Sequence, residues 1–134
     1  MTIPPNPEAV ARLLDALEGF SEQSALAPKV AHRLTVVLEE LAANVAMHGS
    51  TGPGAATFVA VAVHHQDDTL VATIEDDGRA FDPLAQAAPD TGAALEDRDV
   101  GGLGVHFVRQ MTRALDYSRQ DGRNRMTAVL DLSG

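Results

Sequence analysis

Residues 39–49 read EELAANVAMHG. Within this run Glu40, Asn44 and His48 recur at every fourth position, so on a helix their side chains lie along one stripe. The apolar residues around them follow the spacing of a buried helical face: Leu34, Val37, Leu38, Leu41 and Val45. A carboxylate, a carboxamide and an imidazole beside a buried face predict a polar site, which needs partners from elsewhere in the chain.

The composition restricts the classes to which the chain can belong. Its 134 residues, 45% of them hydrophobic, are enough for one compact domain spanning residues 1–134. The absence of cysteine excludes disulfides, thiolate metal sites and cysteine nucleophiles. The formal net charge of −9 argues against direct binding to nucleic acid. The only lysine is Lys29, so a phosphate-binding loop of the Walker type is not expected.

No apolar run approaches the roughly 18 to 20 residues that span a bilayer. The first five residues, MTIPP, lack the basic start and the apolar core of a secretory signal. We therefore expect a cytoplasmic protein that does not insert into membranes.

Periodicity predicts three helices and two hairpins. The helices are expected at residues 7–24, 28–48 and 103–113, and the strands at 57–65, 69–75, 115–119 and 125–132. Residues 76–104 have almost no periodicity and are rich in glycine, proline, alanine and aspartate. A loop of that length in so small a domain is typical of a lid or a binding loop.

Two short motifs lie at the two ends of this loop. It opens with Asp76-Asp77-Gly78-Arg79-Ala80 and closes on Gly101-Gly102-Leu103-Gly104-Val105 at the start of a helix. With Glu40 and Asn44, these motifs resemble the N, G1 and G2 boxes of the GHKL ATPase superfamily, which includes gyrase, histidine kinases and MutL-type repair proteins. Thr127 resembles the final threonine of that pattern.

Within the superfamily, the chain most resembles the bacterial anti-sigma-factor serine/threonine kinases. The likeness extends over residues 7–132 and is carried by residues 100–111, by Asp116-Tyr117 and by residues 122–127. It implies an α+β two-layer sandwich, the Bergerat or histidine-kinase-like ATP-binding fold. Such a fold has a mixed, mainly antiparallel sheet, helices on one face and, in this chain, a lid at about residues 82–100.

The resemblance also assigns residues to the nucleotide. Asp76 would accept a hydrogen bond from the adenine amino group, and Thr127 would support the same contact. Gly78 would let the backbone approach the base closely, and Ala80 stands where the family usually has a second glycine. The residues that would meet the phosphates at a helix N-terminus are Gly101, Gly102, Leu103, Gly104 and Val105.

The remaining assignments concern catalysis. Asn44 would supply a neutral oxygen to Mg²⁺, which keeps most of its waters while it bridges phosphates. Glu40 would take the proton from the attacking hydroxyl as general base. Its neighbour Glu39 points about 100° away around the helix and is the weaker candidate. Arg98 would be the lid arginine that reaches the β- or γ-phosphate, and His48 is interpreted as structural.

By this resemblance the chain is a Mg·ATP-dependent switch protein. It would bind a sigma factor and phosphorylate a serine of an anti-anti-sigma (STAS) partner. A homodimer is the usual assembly, although Thr2-Ile3 leaves little room for the edge strand that often opens the family. Two alternatives stay open: an ATP-binding regulatory adaptor without kinase activity, and the detached catalytic domain of a histidine kinase, which would transfer phosphate to histidine.

Overall fold

The computed structural model describes residues 1–49, 51–85 and 100–132, with the side chains of residues 85 and 100–105 excepted. The helices are α1 (Pro7–Gln23), α2 (Pro28–His48) and α3 (Val100–Met111). The strands are β1 (Thr2–Ile3), β2 (Val59–Gln66), β3 (Thr69–Asp76), β4 (Ala114–Gln120) and β5 (Arg123–Asp131), and one short 3-10 turn covers Pro83–Ala85.

Helix α1 begins where its sequence provides a cap. The side chain of Asn6 accepts a hydrogen bond of 2.8 Å from the backbone N–H of Ala9, and Pro7 occupies the first turn, where no N–H is needed. The helix ends before Ala25, which has a φ of 51° in the left-handed region. The face that α1 buries consists of Ala9, Val10, Leu13 and Leu17.

Helix α2 is the central element of the helical layer. Its buried residues follow the predicted stripe, and Asn44 is the only polar one among them. The helix ends at Gly49, whose N–H bonds to the carbonyl oxygen of Val45 at 2.8 Å. Helix α2 packs against α1 and α3 within the helical layer and against strands β3 and β5 of the sheet. It therefore connects the two layers of the structure.

The five strands form one sheet in the order β1-β2-β3-β5-β4. All four pairings among the described residues are antiparallel, whereas the sequence analysis expected some parallel pairing. The turn between β4 and β5 has positive φ at both Asp121 (53°) and Gly122 (75°), which matches the twist of a two-residue hairpin. Both predicted hairpins are therefore present.

Side chains of successive strand residues alternate between the two faces of the sheet. One face packs on the helices and carries the core side chains Val59, Val61, Leu70, Ala72, Ile74, Met126, Ala128 and Leu130. The opposite face has no helix over it among the described residues, and it carries polar groups such as Glu75, which bonds to Arg123 at 3.2 Å and Arg125 at 3.1 Å. The architecture is a two-layer sandwich with its helices on one face.

Two element boundaries differ from the sequence analysis. The opening edge strand exists despite its shortness, because Thr2 and Ile3 pair with Ala60 and Val59. Helix α3 begins at Val100 rather than at residue 103. Of the lid expected at residues 82–100, the part from 86 to 99 lies outside the described residues.

None of the helices in the described parts of the chain combines the length and the apolar character that crossing a bilayer requires.

We expect Leu38→Ala to lower the free energy of unfolding by about 2 to 5 kcal/mol, because it removes a fully buried side chain from the centre of α2 and leaves a cavity. Denaturant titration measures the change. Met47→Ala is the control on the same helix, since Met47 is 63% exposed. Equal effects of the two substitutions would contradict the packing described above.

Candidate functional site

A small cavity lies between the C-terminal half of α2 and the sheet, where β3 ends and β5 begins. Its volume is about 30 Å³, enough for one or two water molecules. It is lined by Leu41, Asn44, Val45, Gly49, Ile74, Asp76, Arg79, Phe81, Pro83, Tyr117, Asn124 and Met126. Two of the predicted site residues, Asn44 and Asp76, therefore meet at one place.

The side chain of Asn124 organises the sheet side of this cavity. Its Nδ2 donates to Asp76 Oδ1 at 3.1 Å and to the carbonyl oxygen of Arg79 at 2.8 Å. Its Oδ1 accepts from the backbone N–H of Phe81 at 3.2 Å and from the hydroxyl of Tyr117. Asn124 is only 5% exposed, and these four bonds use its full hydrogen-bonding capacity.

Asp76 ends β3 and is 6% exposed. Its Oδ1 accepts a second hydrogen bond, of 2.9 Å, from the backbone N–H of Gly78. Among the described residues, no donor bonds to Oδ2. The carboxylate thus has one oxygen fixed by the protein and one available to a ligand in the cavity.

Gly78 is required by the packing of its own loop, and its approach to a base stays a prediction. A Cβ at this position would lie 3.0 Å from Asp76 Oδ1 and 3.2 Å from both the Cβ and the backbone N of Ala56. Any side chain would therefore push the loop away from Asp76 and Ala56. The carbonyl oxygen of Gly78 also accepts a hydrogen bond of 2.6 Å from Arg119.

Arg79 ties the loop after β3 to the end of α2. Its guanidinium donates to the carbonyl oxygens of His48, Thr51 and Pro53, each at 2.9 Å. These carbonyls belong to the C-terminus of α2, whose last carbonyl groups have no partner within the helix, and to the turn after it. The loop that carries Gly78 is thus held against the helix that carries Asn44.

The prediction for Thr127 needs correction. In the β3–β5 register, Asp76 lies opposite Asn124, while Thr127 lies opposite Thr73. Because Thr127 is three residues beyond Asn124, its side chain is on the other face of the sheet from Asp76. Asn124 occupies the place that the sequence analysis gave to Thr127.

The sequence contained a signal that could have identified Asn124. The apolar residues of β5 alternate as Met126, Ala128 and Leu130, and these face the core. Extending that alternation back by one step reaches Asn124, not Thr127. Tyr117 and Phe81 reach the cavity through contacts between segments that are distant in sequence. No local sequence pattern predicts such contacts, and neither residue was expected there.

Glu40 lies one helical turn before Asn44 and is partly buried, whereas Glu39 is exposed. Burial raises the pKa of Glu40 above its ordinary value, and the nearby Glu39 carboxylate raises it further, against an opposing effect of His48. A carboxyl group with a raised pKa is a better proton acceptor near neutral pH. The surroundings of Glu40 therefore suit a general base, and its catalytic role stays a prediction.

His48, at the end of the same stripe, stacks on the ring of Phe81, with centroids 5.5 Å apart and planes 21° apart. Its Nε2 is buried and has no hydrogen-bond partner among the described residues. His48 thus packs behind Phe81, whose side chain lines the cavity.

The glycine-rich run differs from its prediction. Gly101, Gly102 and Gly104 all lie inside α3, so within this helix the N–H groups without a helical acceptor are those of residues 100–102. Gly104 is beyond that first turn. Leu103 and Val105 are also helical. Ala80 is exposed in the loop after β3, and Arg98 lies outside the described residues.

Among the described residues, no group of three or more His, Asp or Glu side chains is arranged to hold a metal ion. Asn44 offers a single neutral oxygen beside the cavity. One such ligand fits Mg²⁺, which retains several waters and takes its other ligands from phosphates.

We expect Glu40→Gln to be at least as stable as the unsubstituted protein at pH 7. A carboxyl group whose folded pKa is raised binds its proton more tightly in the native state, so its contribution to stability falls as the pH rises through that pKa. The stability difference should therefore vanish below the unfolded pKa. Urea titrations at pH 4 and pH 7 test this, with Glu22→Gln on the exposed side of α1 as control. A large loss of stability in Glu40→Gln at pH 7 would contradict it.

Comparison with known proteins finds similar sequences and structures, of which three are described. The chain is 28% identical over 111 residues to serine/threonine-protein kinase BtrW of Bordetella bronchiseptica, covering 83% of this chain and 78% of that protein. It resembles the histidine kinase domain of a blue-light activated histidine kinase from Erythrobacter litoralis EL346, with a TM-score of 0.59, 17% identity and 97% of this chain covered. A second structure of that kinase also gives 0.59, with 19% identity over 81% of this chain.

The two kinase structures are longer than this protein, which spans 62% and 32% of their respective chains. At this level of identity they establish the fold, and they confirm the histidine-kinase-like α+β sandwich expected from the sequence. Residues 3–130 match the family described as histidine kinase-like ATPase domain. Because this match extends over nearly the whole chain, the protein belongs to the histidine kinase-like ATPase domain family.

Proposed function

We propose that the protein binds Mg·ATP and transfers the γ-phosphoryl group to a serine of an anti-anti-sigma (STAS) protein, and that it also binds a sigma factor. Membership in the family implies ATP binding. The observation that carries the proposal is the pairing of a cavity containing Asp76 with a helix stripe containing Asn44 and Glu40. Homodimer formation is part of the same proposal.

Residues of α2 and of the sheet have different roles in this proposal. Asp76 Oδ2 receives the adenine amino group at the buried end of the site. Asn44 faces the same cavity and supplies an oxygen to Mg²⁺, which would neutralise phosphate charge during the transfer. Glu40, further from the cavity and with a raised pKa, accepts the proton of the attacking serine hydroxyl.

Two observations favour serine transfer over the alternatives. BtrW, a serine/threonine-protein kinase by name, matches most of this chain. The raised pKa of Glu40 is a property that a general base uses and that a nucleotide-binding adaptor does not need. The histidine-kinase alternative predicts a different product, because phosphohistidine is labile in acid and phosphoserine is not.

We expect Asp76→Asn to lower the affinity for ATP by roughly 5- to 150-fold, equivalent to about 1 to 3 kcal/mol, and to leave the fold intact. An asparagine can still accept from Gly78 and Asn124 through its oxygen, but it turns an NH₂ group toward the base. Calorimetric titration measures the affinity. Thr127→Val is the control, since Thr127 lies on the opposite face of the sheet, and it should bind ATP like the unsubstituted protein. Unchanged binding by Asp76→Asn would exclude this base pocket.

We expect Glu40→Gln to bind ATP but to phosphorylate a STAS partner at least 100-fold more slowly, because glutamine cannot accept the proton. Incubation with labelled ATP and candidate STAS proteins encoded nearby measures the rate, and acid treatment of the product distinguishes serine from histidine transfer. Glu39→Gln is the matched control and should retain most activity. The rate of the unsubstituted protein should rise with pH as Glu40 loses its proton. Activity lost in Glu39→Gln but not in Glu40→Gln would transfer the role of base to Glu39.

A further inference from the structure

The hydrogen positions around Asn124 are fixed by two backbone groups. The N–H of Phe81 can only donate, and the carbonyl oxygen of Arg79 can only accept. The amide of Asn124 therefore has one possible orientation, with Oδ1 toward Phe81 and Nδ2 toward Arg79 and Asp76. Backbone groups of the protein therefore determine this orientation in the absence of a ligand.

That orientation determines where the proton of Tyr117 lies. Oδ1 of Asn124 carries no hydrogen, so the hydroxyl of Tyr117 must be the donor in their contact. Among the described residues, no donor bonds to the tyrosine oxygen, so it can accept a hydrogen bond from a ligand. Tyr117 lines the same cavity as Asp76, and it is only partly exposed.

Among the described residues, the polar side chains on the sheet side of the cavity, Asp76, Asn124 and Tyr117, thus offer a ligand acceptors only. Asp76 has its Oδ1 saturated by Gly78 and Asn124 and its Oδ2 without a donor among the described residues. Both protons of the Asn124 amide are already used. A base that enters beside Asp76, Tyr117 and Asn124 therefore meets the lone pairs of Asp76 Oδ2 and of the Tyr117 oxygen. None of the three side chains offers the base an N–H or O–H donor.

We propose that Tyr117 is a base-selecting residue and that Asn124 positions it, so that the pocket takes a purine with a 6-amino group and uses both N–H bonds of that group. One N–H bonds to Asp76 Oδ2 and the other to the Tyr117 oxygen. A 6-oxopurine places its carbonyl oxygen against the same lone pairs and is rejected. This inference rests on the proposed binding of ATP and specifies how the base is chosen.

The test compares three nucleotides by calorimetric titration: ATP, N6-methyl-ATP, which keeps one N–H, and inosine triphosphate, which has a 6-oxo group. The unsubstituted protein should prefer ATP over N6-methyl-ATP roughly tenfold, the contribution of one hydrogen bond, and over inosine triphosphate by more. Tyr117→Phe should weaken ATP roughly tenfold and leave N6-methyl-ATP unchanged. Ser118→Ala is the control, because its side chain lies on the other face of β4.

Asn124→Ala provides a readout that a purely structural role would not produce. With its partner removed, the Tyr117 hydroxyl can turn its proton toward a 6-oxo group, so the preference for ATP over inosine triphosphate should shrink. A structural defect would weaken both nucleotides equally. If thermal melting shows that Asn124→Ala does not fold, the test rests on how Tyr117→Phe binds ATP and N6-methyl-ATP.

The possible outcomes distinguish a failure of base selection by Tyr117 from a failure of the proposed ATP binding. If the unsubstituted protein binds ATP, but Tyr117→Phe changes neither nucleotide or weakens ATP and N6-methyl-ATP equally, base selection by Tyr117 is wrong and ATP binding stands. If the unsubstituted protein binds none of the three nucleotides, both proposals fall.

Discussion

The arrangement of the site depends on the four hydrogen bonds of the buried Asn124 side chain. They join β5, where Asn124 lies, to the end of β3, to the loop that follows it and to β4. A buried amide must satisfy its donors and acceptors, and each group left without a partner costs about 1 to 3 kcal/mol. Because these bonds share one side chain, their contributions are coupled, and the effects of substitutions at their partners on stability are not expected to add.

Patterns of hydrophobic spacing predicted most of the fold. The stripe from Leu34 to Val45 placed α2 correctly, since a 21-residue helix with a continuous buried face has few alternatives. The hairpins followed from alternation and from turn residues such as Asp121-Gly122. Strand β1 could not be predicted in this way, because two residues carry no period and their pairing partner is more than fifty positions away.

The candidate site was only partly predictable. Asp76, Asn44 and Glu40 were identified by residue type and order, and the helical angle separated Glu40 from Glu39. Thr127 was assigned by its resemblance to a motif rather than by the alternation of its strand, and the register places it on the wrong face. The raised pKa of Glu40 arises from burial in the folded chain, a quantity that no local sequence pattern contains.

The site also combines a rigid part with a part that depends on side-chain packing. Backbone groups fix the amide of Asn124, and Arg79 fixes the loop to the end of α2 through three carbonyl oxygens. The stack of His48 on Phe81 has no such backbone anchor for its rings.

The volume of the cavity has a consequence for nucleotide affinity. Since a cavity of about 30 Å³ holds only one or two water molecules, a base would enter open molecules, in which the side chains that line the cavity lie further apart. The apparent dissociation constant is then the intrinsic one divided by the fraction of open molecules. Substitutions that alter the packing of these lining side chains would therefore change the affinity for a nucleotide without altering a residue proposed to bond to the base.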